Sequence, residues 1–97
     1  TENIISSSSP ESYALNQNYP NPFNPTTNIL YSVPVTGNVS VKVYDQIGKE
    51  VATLVSGVKN EGTYEVTFDA SSFSSGIYFY KLEADNFTST KKMLLIK

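Results

Sequence analysis

The sequence predicts an all-β chain, folded as an antiparallel β-sandwich of about seven strands. Three observations carry this. Short runs of β-branched and aromatic residues alternate with polar ones at period two. Turn-forming residues interrupt these runs about every 8–12 positions. No window repeats its apolar residues at the 3.6-residue helical period.

Residues 1–13 read as a Ser-rich linker. Ser6-Ser7-Ser8-Ser9-Pro10 has no apolar surface with which to offset the entropy of ordering. Ile4 and Ile5 are the apolar pair there, and nothing local fixes where they dock. Residues 14–97 read as the folded domain. It opens with a strap, Tyr19-Pro20-Asn21-Pro22-Phe23-Asn24-Pro25, whose prolines forbid both a helix and a central strand. Each residue before a proline is driven to extended geometry. Phe23 is the natural anchor of this strap in the core, and Tyr19-Pro20 is a candidate cis bond.

Six strands follow. Asn28–Val33 turns Ile29, Tyr31 and Val33 to one face, and Pro34 ends it. Asn38–Asp45 turns Val39, Val41 and Val43 one way and Ser40, Lys42 and Tyr44 the other. Asp45-Gln46-Ile47-Gly48 reads as a bulged hairpin turn, with Asp at its first position and Gly in the left-handed conformation. Lys49–Val55 resumes the sheet, and Gly57 with Asn60-Glu61-Gly62 marks a longer connection. Thr63–Asp69 points Tyr64, Val66 and Phe68 inward. Ala70–Ser75 crosses over with Phe73 as its plug. Gly76–Ala84 points Tyr78, Tyr80 and Leu82 inward, Asp85-Asn86 turns, and Phe87–Ile96 closes the chain. A seventh strand is expected near the strap. Strand number and spacing give the sandwich an immunoglobulin-like character.

Composition excludes much. Length, at 97 residues, gives room for one domain. The chain lacks Cys, and with it disulfides and thiolate metal sites. It also lacks His, the commonest general base and zinc ligand. The net charge is −2 and every basic residue is Lys, so the basic stripe of a nucleic-acid binder is missing. No apolar run approaches the ~18 residues of a membrane span. The opening Thr1-Glu2-Asn3, without Met, suggests a piece of something longer.

Chemistry-bearing motifs are weak. Asp45 and Gly48 fit turn chemistry better than a calcium loop, which needs about 6–8 oxygen ligands. Glu61, Glu65, Asp69 and Glu83 read as solvated strand and loop charges, not as a glycosidase pair. The many serines lack a partner base. No catalytic residue, cofactor or metal is therefore expected. Tyr44 and Phe79 fall on outward faces by this register, where aromatics can stack on sugar rings or simply serve as good strand formers. Met93-Leu94-Leu95-Ile96 is apolar on both faces. That fits a strand covered on both sides, or one whose second face meets a partner.

Several motifs in fixed order have a further meaning. They are Leu15-Asn16-Gln17-Asn18-Tyr19-Pro20-Asn21-Pro22-Phe23-Asn24-Pro25, Ile29-Leu30-Tyr31, Val43-Tyr44-Asp45-Gln46-Ile47-Gly48-Lys49, Gly76-Ile77-Tyr78-Phe79-Tyr80-Lys81-Leu82 and the closing Lys92-Met93-Leu94-Leu95-Ile96-Lys97. Together they resemble the type A C-terminal sorting domain of the bacterial type IX secretion system. The resemblance implies an immunoglobulin-like domain at the C-terminus of a larger exported protein. An outer-membrane translocon would read it, and a sortase-like peptidase would remove it near residues 6–15. The parent would then reach the cell surface or the medium.

By the same resemblance Lys92, Met93, Leu94, Leu95, Ile96 and Lys97 form the segment read by the secretion machinery. Pro20, Asn21, Pro22, Phe23, Tyr44, Asp45, Gly48, Gly76 and Tyr78 are expected to hold the fold that presents it. The partners implied are the translocon, the peptidase and the N-terminal parent, with no nucleic acid and no membrane insertion. An apolar closing strand also invites weak dimerisation by edge pairing. The alternative is an accessory carbohydrate-binding or adhesive module of an extracellular enzyme.

Overall fold

The computed structural model of the chain describes residues 2–6 and 10–97; Thr1 and Ser7 to Ser9 of the expected linker lie outside the described residues. Eight strands are described: β1 (Glu2–Ser6), β2 (Ala14–Leu15), β3 (Thr26–Val33), β4 (Gly37–Tyr44), β5 (Glu50–Lys59), β6 (Gly62–Asp69), β7 (Gly76–Ala84) and β8 (Phe87–Leu95). They form two four-stranded sheets, ordered β1-β6-β3-β2 and β5-β4-β7-β8, with every neighbouring pair antiparallel.

This is the strand order of an immunoglobulin sandwich, whose constant form sets A, B, E and D in one sheet and C, F and G in the other. Strands β2, β3 and β6 take the places of A, B and E. Strands β5, β4, β7 and β8 take those of C′, C, F and G. The place beside E is filled from the N-terminus by β1. Within the stretch read from sequence as linker, then, Glu2–Ser6 is an edge strand on β6. Its anchor is the Glu2 carboxylate, which accepts from the Tyr31 hydroxyl and pairs with the Lys59 ammonium. Ile4 and Ile5 stay exposed.

The period-two faces build the core. Ile29, Tyr31, Val33, Val41, Val43, Tyr80, Leu82 and Leu95 are fully enclosed. Tyr31 lies opposite Tyr64 across the β3–β6 pair, and the two rings stack at 5.3 Å. Such cross-strand pairs stabilise a sheet by about 0.2–1 kcal/mol each. At one end, Phe23, Phe68, Phe73 and Tyr78 form an aromatic chain, with successive centroids 6.1, 5.5 and 5.9 Å apart. Phe73 thus plugs the crossover between β6 and β7.

One strand boundary and the strand count differ from the sequence reading. Strand β5 does not stop at Val55 but runs through Gly57 to Lys59, leaving only Asn60 and Glu61 before β6. Its register slips twice against β4, near Lys42 and near Tyr44. These irregularities break the alternation that would have revealed its length. The seventh strand near the strap is the short β2, and β1 makes an eighth.

Candidate recognition site at the closing strand

The strap decides how the end of the chain is presented. It leaves β2, touches the start of β3, and crosses to β8 on the other sheet. At its first end, the Tyr19 and Asn28 backbones exchange two hydrogen bonds of 2.9 Å. Beneath it sit two buried polar side chains, Asn18 and Thr27. Asn18 Nδ2 donates to Thr27 Oγ1 at 3.0 Å, and Thr27 Oγ1 donates to the Pro20 carbonyl at 2.8 Å. The Tyr80 hydroxyl rises from β7 to accept from the Asn18 amide at 2.8 Å and donates to the Asn16 carbonyl at 2.7 Å. Burial pushes the Tyr80 phenol up to about 12, with the Asn18 hydrogen bond opposing. Burial, then the bond to Glu2 and its charge, raises the Tyr31 phenol further still. Among the described residues no buried side-chain polar atom lacks a partner.

At its second end the strap meets β8. Phe23 is buried, and its backbone forms a parallel bridge with Leu95. The Phe23 amide donates to the Leu94 carbonyl, and the Ile96 amide donates to the Phe23 carbonyl, both at 3.0 Å. Asn21 Oδ1 accepts from the Leu94 amide at 3.0 Å, and Gln17 Nε2 donates to the Lys92 carbonyl at 2.8 Å. The outer edge of the closing strand is therefore bonded from Lys92 to Ile96. The Tyr19-Pro20, Asn21-Pro22 and Asn24-Pro25 bonds are all cis.

The six terminal residues divide by face. Met93 and Leu95 point into the core and are 1% and 0% exposed. Leu94 and Ile96 are 36% and 50% exposed, and Lys92 and Lys97 are exposed with them. Leu94 lies opposite Ile77 of β7. Asn21, Ile77, Lys92, Met93 and Leu94 line a hollow of about 170 Å³. Ile77 is shared with a second hollow of about 250 Å³ floored by the Asp45–Ile47 turn and Ser75–Tyr78. Lys97 folds back, its amide donating to Ser75 Oγ at 3.0 Å and its ammonium to the Ser71 carbonyl at 2.6 Å.

The residues expected to hold the fold sit around this strand. Asp45 accepts at Oδ1 from the Ile47 and Lys49 amides, at 3.1 and 2.9 Å, and closes the turn. Gly48 takes φ of +89°, which a β-branched residue tolerates poorly. Gly76 opens β7 opposite Leu95. The Tyr78 hydroxyl donates to the Ser74 carbonyl four residues upstream at 2.7 Å, the bond of an immunoglobulin tyrosine corner. Pro20 and Pro22 are exposed on the strap. Tyr44 is half-buried, with the Lys81 ammonium 5.4 Å over its ring, so its face is not an open sugar platform. Gln17, Asn18, Thr27 and Ile77 complete the arrangement. Gln17, Asn18 and Ile77 fall inside the quoted motifs, but the sequence assigns them and Thr27 no role, because partners lie up to 75 residues away.

Among the described residues no group of three or more acidic, His or Cys side chains is placed to hold a metal ion. Among the described residues no helix is long and apolar enough to cross a membrane. The closing strand offers an exposed face and a sheet edge. Comparison with protein families matches residues 17–97 to the secretion system C-terminal sorting domain. The chain belongs to this family, the C-terminal sorting domains of type IX secretion. The family is not an enzymatic one, and its function entails export to the cell surface or beyond. Searches of curated proteins and of solved structures returned no significant match.

Proposed function

We propose that this domain is the export label of a larger protein joined to its N-terminus. The type IX translocon reads its last strand, from Lys92 to Lys97, and carries the parent to the cell surface or medium. A sortase-like peptidase then cuts near residues 6–15, where Glu11 and Ser12 are exposed. The domain works by being bound and performs no catalysis.

The observation that carries this reading is the family match itself, which runs through the whole closing strand to Lys97. The placement of that strand supports it, since β8 is an edge strand and four of the six residues from Lys92 to Lys97 are exposed. The test is a secretion assay in a host with a working type IX system. The chain is fused behind a periplasmic fluorescent reporter and compared with the same fusion lacking Lys92 to Lys97. The full fusion should reach the surface or medium, and the truncated one should stay periplasmic. Equal behaviour of the two fusions sinks the proposal.

A further inference from the structure

We propose that the closing strand is read while still docked, through its outward side chains, by an apolar receptor patch that carries an acidic group for Lys92. This rests on the sorting function proposed above and specifies how the label is recognised.

Two other modes of reading a strand compete with it. A receptor could add a strand of its own to the β8 edge, or it could pull β8 free and bind it as an extended peptide. Edge addition needs unpaired backbone groups. Between Lys92 and Ile96 four of them are already taken by the strap and by Gln17 just before it: the Lys92 carbonyl bonds Gln17, the Leu94 amide bonds Asn21, and the Leu94 carbonyl and Ile96 amide bond Phe23. Clearing them means lifting a strap whose Phe23 is embedded in the aromatic chain with Phe68. Pulling β8 free is harder still, since it uncovers Met93 and Leu95 and breaks the pairing with β7 along nine residues.

The outward face needs neither rearrangement. Leu94 and Ile96 present apolar surface, and the hollow beside Leu94 and Ile77 offers a socket for a side chain of the partner. Charge fixes the partner's chemistry. The ion pairs among the described residues join Lys42 to Glu50, Lys59 to Glu2 and Lys81 to Glu83. None reaches Lys91, Lys92 or Lys97, although the chain as a whole carries −2. The Lys97 ammonium is taken by the Ser71 carbonyl and Lys91 shares the inward parity of Met93 and Leu95, so the charge that the outward face presents beside Leu94 is that of Lys92. An acidic group on an apolar patch complements it and orients the encounter.

The test uses the same reporter fusion. Leu94→Ser, Ile96→Ser and Lys92→Glu alter the outward face, and Lys49→Glu makes the same charge change just before β5, at the opposite edge of the same sheet. Each face variant should lower exported reporter at least tenfold while the purified domain melts within a few degrees of the parent. Lys49→Glu should export within twofold of it. A synthetic peptide of residues 88–97 should compete poorly with the folded domain for outer membranes of the host, since a free peptide does not hold its face in register. If the face variants export normally while deletion of Lys92 to Lys97 blocks export, the docked reading is overturned and the sorting function stands. The docked reading is equally overturned if the peptide competes as well as the domain, or if Lys49→Glu is as damaging as Lys92→Glu. If the deletion also exports normally, both fall.

Discussion

The Tyr80 hydroxyl lies 2.8 Å from the amide of Asn18, so a side chain of β7 holds the backbone just before the strap. The same oxygen donates to the Asn16 carbonyl. Tyr80→Phe keeps the ring and its packing and removes only these two bonds. It leaves the buried Asn18 amide without a partner, which typically costs about 1–3 kcal/mol. Chemical denaturation should show a loss of that size with an unchanged m-value. A loss well under about 0.5 kcal/mol means that the bond is not structural.

The same residue predicts an alkaline limit. Its phenol titrates near 10 when free and is pushed up to about 12 in the fold. A raised pKa means that the folded state favours the protonated form. The associated stability is full below pH 10 and drains away as the pH climbs from 10 towards 12. Tyr31 acts in the same direction, through burial and the adjacent Glu2 carboxylate. Unfolding midpoints measured across the alkaline range should stay level and then fall in that window. In Tyr80→Phe the fall should be shallower. A slope that Tyr80→Phe leaves unchanged assigns the limit to another group.

At the tip of the β4–β5 hairpin, Gly48 tests backbone strain in isolation. Its φ is +89°, and a Cβ built there meets nothing within 4 Å. Gly48→Val should therefore cost about 1–3 kcal/mol through conformation alone. Gly48→Asn should cost much less, because Asn tolerates the left-handed region. Equal thermal melts for the Val and Asn variants would remove strain as the explanation.

The elements of the fold differ in how far the sequence announces them. The turn at Gly48 is a local signal, and so are the inward faces of β3, β4, β6 and β7, since alternation along one strand needs no knowledge of its neighbour. The strap's anchor, Phe23, is legible because a lone large apolar residue among prolines has few other uses. The terminal apolar run is also plain, but its division into core Met93 and Leu95 and outward Leu94 and Ile96 depends on register with β7. What closes its edge is not local at all. Gln17 reaches Lys92 and Asn21 reaches Leu94 across more than seventy residues, by side-chain bonds that leave no periodicity. Strand β1 is hidden for the same reason, because its partner is an edge of β6 and its anchor is a carboxylate.

Strand β1 lies outside the residues that match the family, so its contribution can be separated from the rest. Glu2→Ala removes the acceptor of the Tyr31 hydroxyl and the partner of Lys59. The sandwich should survive with a loss of about 1–3 kcal/mol, set by the enclosed Tyr31 hydroxyl losing its acceptor more than by the part-exposed ion pair. Amide exchange should accelerate selectively on the β6 positions that face β1, between Thr63 and Val66. Unchanged protection there shows that β1 is held by backbone pairing alone.

Phe23 joins the core to the site, and its removal should separate two effects. The side chain is 2% exposed and packs on Phe68, so Phe23→Ala should cost about 3–5 kcal/mol through lost burial and the cavity left behind. That is a large part of the ~5–15 kcal/mol that stabilises a typical domain, yet it leaves the β7–β8 pairing chemically intact. The backbone of Phe23 also closes the edge of β8, receiving the Ile96 amide and donating to Leu94. Once the anchor is gone the strap should lift locally before the sandwich unfolds. The Leu94 and Ile96 amides should then lose protection against exchange, while those of Met93 and Leu95, paired inward with β7, keep it. Exchange that rises equally on all four residues argues instead that strap and strand open as one unit, and that the closing strand cannot be exposed without unfolding the domain.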